Sequence, residues 1–180
     1  MAWKVLNSRY VFNNKFLKIR EDSCLLPNNL TSDFFTVEIR EWVLVVAFTP
    51  DNKIVLVKQY RQSTGEDLIE LPAGVIDNNE SPEDTIKREF LEETGMELNN
   101  LSKMATWFNM SGKSNSKFTA FFGITNNHIG NQKLDNEENI EIILKNPKEV
   151  IQMINSSEIK SAPYIASILF AKERYPHYFE

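Results

Sequence analysis

The chain has 180 residues, 42% apolar and 25% charged, which suits one globular domain or one domain with a small appended layer. Its net charge of −5 leaves no excess of Lys and Arg to neutralise a phosphate backbone. That excludes nonspecific nucleic-acid binding and means that an anionic ligand must be drawn in by local positive charge or by metal. The single Cys24 forms no intramolecular disulfide, and His128 and His177 lack zinc-ligand spacing. The first dozen residues lack the apolar core of a secretion signal, and the longest apolar run, 43–48, is too short to span a bilayer. A soluble, cytoplasmic protein without membrane contact is expected.

In chain order, residues 4–10, 16–21 and 33–39 alternate as short strands, with a turn at Leu26-Pro27-Asn28-Asn29. Residues 42–49 and 53–59 are β-rich runs joined by Pro50-Asp51-Asn52, a hairpin connection. A polar loop at 60–67, a short strand at 68–72 and a loop at 73–80 follow. Ser81 then serves as N-cap, Pro82 suits the first helical position, and Glu83 and Asp84 favour the positive end of the helix dipole. Ile86, Phe90 and Leu91 supply the buried stripe of this helix, and Gly95 ends it. Strands are predicted at 101–109, 116–124 and 140–144. Helices are predicted at 147–156, with Val150, Ile151, Met153 and Ile154 inward, and at 163–175, with Ile165, Ile168, Leu169 and Phe170 inward. Without regular strand-helix alternation, the pattern implies an α+β fold, a mixed sheet with helices on its faces.

The chemistry concentrates in residues 74–96, GVIDNNESPEDTIKREFLEETGM. On a helix, residues three and four apart are neighbours, so Glu89 sits beside both Glu92 and Glu93. Three crowded carboxylates repel one another unless something positive binds among them. A hard divalent cation with oxygen ligands answers that need, and such a metal suggests phosphate chemistry. An acidic helix face solvated by water is the plain alternative.

Gly74, five residues, Glu80, seven residues, and then Arg88-Glu89-Phe90-Leu91-Glu92-Glu93-Thr94-Gly95-Met96 resembles a complete Nudix box. Matching seven fixed residue types by chance is on the order of one start in 10⁸–10⁹ at average residue usage, so the pattern is specific. The resemblance implies an α/β/α sandwich with a mixed sheet and hydrolysis of a nucleoside diphosphate linked to another group. It implies Mg²⁺, with Mn²⁺ as the substitute, held by Glu89, Glu93 and Glu92, the last either a ligand or a base. It also implies a backbone carbonyl ligand at Ala73. Arg88 either pairs with a glutamate such as Glu80, aiming the acidic cluster, or touches phosphate. Gly74 either permits close approach of the backbone or is a simple loop glycine.

Outside the box, Lys58-Gln59-Tyr60-Arg61 and Glu70-Leu71-Pro72-Ala73-Gly74 resemble the ADP-ribose pyrophosphatase branch, whose pattern GDP-mannose pyrophosphatases share. Arg61 would hold phosphate or ribose. Tyr60 either packs against a base or belongs to the core, and Glu70 either serves the site or is a solvated strand-end charge. The segment Leu134-Asp135-Asn136-Glu137-Glu138-Asn139-Ile140 resembles the acidic loop that supplies a catalytic base, making Glu137 and Glu138 candidates. One departure stands out: where the branch carries Ser-Pro-Gly and acids, this chain has Met110-Ser111-Gly112-Lys113-Ser114-Asn115. Lys113 adds positive charge there and weakens the case for ADP-ribose over other nucleotide sugars.

The expected protein is therefore a pyrophosphatase of nucleoside diphosphate sugars, ADP-ribose first and GDP-mannose second. Residues 1–40 form an N-terminal strand extension resembling the segment through which this branch makes homodimers, and residues 41–180 form the catalytic domain. A nucleotide-sugar sensor with the same fold and no turnover is the rival from another class. A Nudix-fold isomerase or mutated-nucleotide hydrolase is a third reading, which the two flanking segments disfavour.

Overall fold

The computed structural model describes residues 3–126 and 130–180, so His128 lies outside the described residues. The chain forms two compact units, Met1–Glu41 with Trp107–Phe118, and Trp42–Thr106 with Thr119–Glu180.

The first unit contains three antiparallel strands in chain order, β1 (Lys4–Asn13), β2 (Lys18–Leu25) and β3 (Thr31–Glu38). Asn14 turns the chain between β1 and β2, its side-chain oxygen accepting from the Phe16 and Leu17 amides at 2.9 and 2.8 Å. Asn29 (φ 62°) makes the next turn in the left-handed region that Asn tolerates. Arg20 pairs with Asp22 on its own strand and with Glu38 on β3. Cys24 is buried on β2 as a free thiol. All of β1 is exposed, including Val5, Leu6, Tyr10, Val11 and Phe12. An apolar edge strand of this length is a surface that invites pairing.

The second unit is built on β4 (Trp42–Phe48) and β5 (Ile54–Arg61). Residues 43–48 and 54–57 are buried throughout, as expected of central strands covered on both faces. The sheet order is β10-β5-β4-β9-β8, with β8 (Leu98–Phe108), β9 (Lys117–Thr125) and β10 (Glu141–Lys145). The β4–β5 hairpin is in register at Phe48 and Ile54. Beyond that point β6 (Glu66–Glu70) pairs with β5, and β7 (Ala73–Val75) pairs with β4. Glu70, Leu71, Pro72 and Ala73 therefore cross from one central strand to the other. The tight β5–β6 turn relies on Gly65 (φ +70°), whose amide donates to the Arg61 carbonyl at 2.9 Å.

Helix α1 (Pro82–Thr94) starts at Ser81, whose hydroxyl accepts from the Asp84 amide at 3.1 Å. It ends at Gly95 (φ +68°), whose amide donates to the Leu91 carbonyl at 2.8 Å. Alternate residues of β4, Val43, Val45 and Ala47, share one core with Ile86 and Phe90 of α1, Met96 and Phe121. The intervening residues face the other way. Trp42 meets Tyr164 of α3 (Ala162–Arg174), and Phe48 meets Tyr178 and Phe179 just beyond it. Period-two alternation thus puts α1 on one face of the sheet and α3 on the other. The result is an α+β fold with a mixed sheet between helices, completed by α2 (Pro147–Asn155). Among the described residues no helix is long and apolar enough to cross a membrane.

Several local expectations shift. Residues 60–67 are not one loop, because β5 runs to Arg61 and β6 begins at Glu66; residues 73–75 form β7 rather than loop. Both are short strands created by pairing with a central strand, which local sequence does not encode. Leu91 is 38% exposed, so the buried stripe of α1 is Ile86 and Phe90 with Thr85, Glu93 and Thr94. In α3 the buried residues are Tyr164, Ser167, Ile168 and Ala171, while Leu169 is exposed. Ser167 and Ala171 fit the helix against the sheet beside the predicted Ile168, while Leu169 turns to solvent.

Phe90→Ala should destabilise the protein by about 3–5 kcal/mol, against less than about 1 kcal/mol for Leu91→Ala on the same helix. Calorimetric unfolding checks this, and equal losses would mean that the core face of α1 is misassigned.

Candidate active site

Five of the predicted site residues converge where α1 faces β7. Arg88 is the hub. Its Nε and Nη2 donate to the two Glu80 carboxylate oxygens at 3.0 and 2.9 Å, and its Nη1 donates to Glu89 and Glu92 at 3.0 and 2.9 Å. Thr85 completes Glu80, donating from Oγ1 at 2.9 Å. The Arg88 guanidinium holds the Glu80 carboxyl down at about 2, and Glu80 in turn raises the Arg88 pKa. Of the two sequence readings of Arg88, the geometry places it among glutamates.

Glu89 and Glu93 lack such full compensation. Burial raises the Glu89 carboxyl above its ordinary 4.5, partly countered by Arg88. Glu93 is 4% exposed, and burial raises it well above 4.5, with the Ala73 amide, donating at 3.1 Å, working in the opposite direction. The Ala73 contact fixes Glu93 to the start of β7. The next residue, Gly74, lies against Glu89 so closely that a Cβ would come within 2.0 Å of the Glu89 carboxyl carbon. Gly74 thus lets Glu89 lie directly against the β7 backbone; a larger side chain would displace the Glu89 carboxylate.

Arg61 and Glu70 form a second cluster. Glu70 is 4% exposed, so it is no solvated strand-end charge. It accepts from Arg61 Nη2 at 2.6 Å and from Gln59 Nε2 at 3.1 Å. Burial is the largest influence on Arg61 and opposes its charge, but the hydrogen bonds and charge attraction of Glu70, joined by Tyr164, together raise the pKa. Tyr164 of α3 stands within hydrogen-bonding reach of Arg61. Its hydroxyl is pushed up by burial and then by the nearby Glu70 carboxylate. Tyr60 is 56% exposed at the end of β5 and does not belong to the core.

The acidic loop separates its two candidates. Glu138 lies within electrostatic reach of both Glu89 and Glu93. Its carboxylate also accepts from the Asp135 amide at 3.0 Å. Glu137 is exposed. Lys113 belongs to the first unit, where its carbonyl accepts from the Val37 amide at 2.8 Å.

Among the described residues no three acidic, His or Cys side chains stand as a ready cation cage, and Arg88 bonds to two carboxylates of that acidic face. The donor set nevertheless fits a hard divalent cation. Glu89 and Glu93 supply carboxylate oxygens whose negative charge is under-compensated; Glu93 is bonded to the Ala73 amide of β7, and Glu89 lies against the next residue, Gly74.

Residues 39–164 match the model of the NUDIX domain. The chain belongs to the Nudix hydrolase family. Residues 3–37 match a second family, the nucleoside diphosphate sugar hydrolase N-terminal domain. Among Nudix relatives, a methanol dehydrogenase activator of Bacillus methanolicus is 28% identical over 93% of this chain and 91% of its own. An ADP-ribose pyrophosphatase of Bacillus subtilis (strain 168) is 27% identical over 88% of this chain and 86% of its own. A crystal structure of an ADP compounds hydrolase superposes with a TM-score of 0.87 at 16% identity, covering 98% of this chain and 96% of that one, a likeness of fold.

Three polar residues of this Nudix site carried no distinct sequence signal. Gln59 lies within the Lys58–Arg61 segment, whose resemblance implies no role for it. Tyr164 reads as an ordinary helix aromatic, and Gln132 sits in an Asn-rich stretch.

The raised carboxyls predict a pH dependence. A folded-state pKa above the unfolded value means that the folded protein binds more protons, so stability falls as pH rises from about 4.5 through the raised values. Without metal, thermal unfolding should move to lower temperature over this window. Mg²⁺ should offset the loss at the upper end, and Glu93→Gln should flatten the slope. A slope retained in Glu93→Gln would remove the argument.

Proposed function

We propose that the chain is a divalent-cation-dependent pyrophosphatase that cuts the diphosphate of a nucleoside diphosphate sugar, ADP-ribose before GDP-mannose. Water attacks one phosphorus and the bridging P–O bond breaks, releasing nucleoside monophosphate and sugar phosphate. The observation that carries the reading is the pairing of under-compensated Glu89 and Glu93 with the Ala73–Gly74 backbone. Mg²⁺, or Mn²⁺ in its place, would be held by Glu89 and Glu93, with the Ala73 carbonyl and Glu92 as further ligands. When bound it would neutralise phosphate charge and acidify the attacking water.

The remaining steps belong to side chains. Arg88 keeps Glu80, Glu89 and Glu92 in one arrangement and so positions the acidic face. Arg61, braced from behind by Glu70, presents a guanidinium to phosphate or ribose. The half-exposed Tyr60 ring offers a face for a base. Glu138, rather than Glu137, accepts the proton of the attacking water, because it is the one whose charge reaches Glu89 and Glu93. The substrate role of Lys113 rests on the sequence alone. The names of two comparison proteins, ADP-ribose pyrophosphatase and ADP compounds hydrolase, support the order of substrates. The first unit, with its apolar edge strand β1, would join two copies into a homodimer, in a cytoplasmic protein that binds neither membrane nor nucleic acid.

A panel of nucleotide sugars assayed with Mg²⁺ for monophosphate release tests the reaction. ADP-ribose should be cleaved fastest, and Glu93→Gln should lower kcat by at least about 100-fold with little change in folding. Binding without product would instead assign a sensor. Light scattering at micromolar protein should give the mass of two chains, and a single-chain mass would remove the dimer.

A further inference from the structure

Helix α1 ends with carbonyls that have no partner within the helix, and its last turn carries no basic residue to offset them. The acidic loop supplies those partners. The Lys133 amide donates to the Glu92 carbonyl at 2.9 Å, and the Gly130 amide donates to the Gly95 carbonyl at 2.8 Å. The approach is tight, since a Cβ on Gly95 would come within 2.4 Å of the Gly130 oxygen. Gln132 makes the remaining link. Its side-chain nitrogen donates one proton to the Glu93 carbonyl and the other to the Ile140 carbonyl, the latter at 3.1 Å.

Those two carbonyls mark the two feet of one excursion of the chain. Glu93 is on the acidic helix, and Ile140 is the residue before β10. Residues 133–139 between them carry Glu138. Within the excursion the Glu138 amide donates to the Asp135 carbonyl at 3.0 Å, which gives the loop a turn of its own. A primary amide suits this junction, because both facing groups are acceptors and its NH₂ offers two donors on one atom without bringing a charge.

We propose that Gln132 is a positioning residue of the reaction: it closes the acidic loop onto the end of α1 and so sets Glu138 over the Glu89–Glu93 pair. This rests on the reading of Glu138 as the base. A displacement near 1 Å at a reacting group lowers rate by about 100-fold, so a loosened clamp should be visible in turnover.

The test compares Gln132→Ala and the isosteric Gln132→Glu with Asn131→Ala as control, using ADP-ribose and Mg²⁺. Both Gln132 variants should lower kcat by about 10- to 100-fold with KM unchanged. Gln132→Glu should be the worse, since it sets carboxylate oxygens against two carbonyls. The unfolding midpoint should stay within about 4 °C, and Asn131→Ala should match wild type. In a Glu138→Gln background, Gln132→Ala should add almost nothing, because the two act as one unit. Amide hydrogen exchange over residues 133–139, which needs no substrate, should speed up in Gln132→Ala. Wild-type kcat in both Gln132 variants, full additivity with Glu138→Gln, or unchanged exchange would each overturn the role while leaving the pyrophosphatase reading intact. Normal turnover in Glu138→Gln would also overturn it. A wild-type protein that cleaves no nucleotide sugar would overturn the reading itself, and this role with it.

Discussion

One turn of helix carries more negative charge than its own surroundings can neutralise, and much of the second unit answers that constraint. Arg88 satisfies Glu80 with two hydrogen bonds and reaches Glu89 and Glu92 with its remaining nitrogen. A guanidinium suits this work because its donors form a rigid planar fork; a lysine ammonium would present a single point charge. The arrangement leaves Glu93 without a hydrogen bond from Arg88, and the Arg61 charge favours its ionised form only weakly beside its burial. Glu93 is buried against β7 with a backbone amide. An amide dipole offsets part of the desolvation of a carboxylate but not all of it. The same residues are therefore held at an electrostatic cost that a divalent cation would relieve.

The sheet makes this arrangement possible by opening between its two central strands. From the register at Phe48 and Ile54, β6 follows β5 and β7 follows β4, so the connecting segment crosses to α1. Glu70 is left on the β5 side, bracing Arg61, and Ala73 and Gly74 are left on the β4 side, against Glu93 and Glu89. Two charged clusters are thus positioned by one crossing of a few residues. Such a site sits on strands and a helix, which hold geometry more tightly than loops do.

The acidic helix and its caps were legible from sequence because their signals are local. Ser81, Pro82 and Gly95 mark the helix ends by side-chain and backbone chemistry that requires no partner elsewhere. The neighbourhood of Glu89 with Glu92 and Glu93 follows from helical spacing alone, whereas the place of Arg88 among the glutamates needs the structure. The state of Glu70 was not legible, because its burial depends on Arg61 and Gln59 arriving from the neighbouring strand. For the same reason β7 was read as loop: three residues become a strand only because β4 lies alongside. Tyr164 and Gln132 were missed because their roles lie in contacts between distant segments. The α3 stripe misled in a different way, since Ser167 and Ala171 are buried for their smallness and leave no apolar signal.

Whether the uncompensated pair binds a divalent cation is the claim on which the rest turns. Titration with Mn²⁺, followed by loss of the free-ion electron paramagnetic resonance signal, measures it without any substrate. Saturable binding is predicted for the wild-type protein, weakened at least about 10-fold in Glu89→Gln and in Glu93→Gln. Equal affinity in all three proteins would contradict the account.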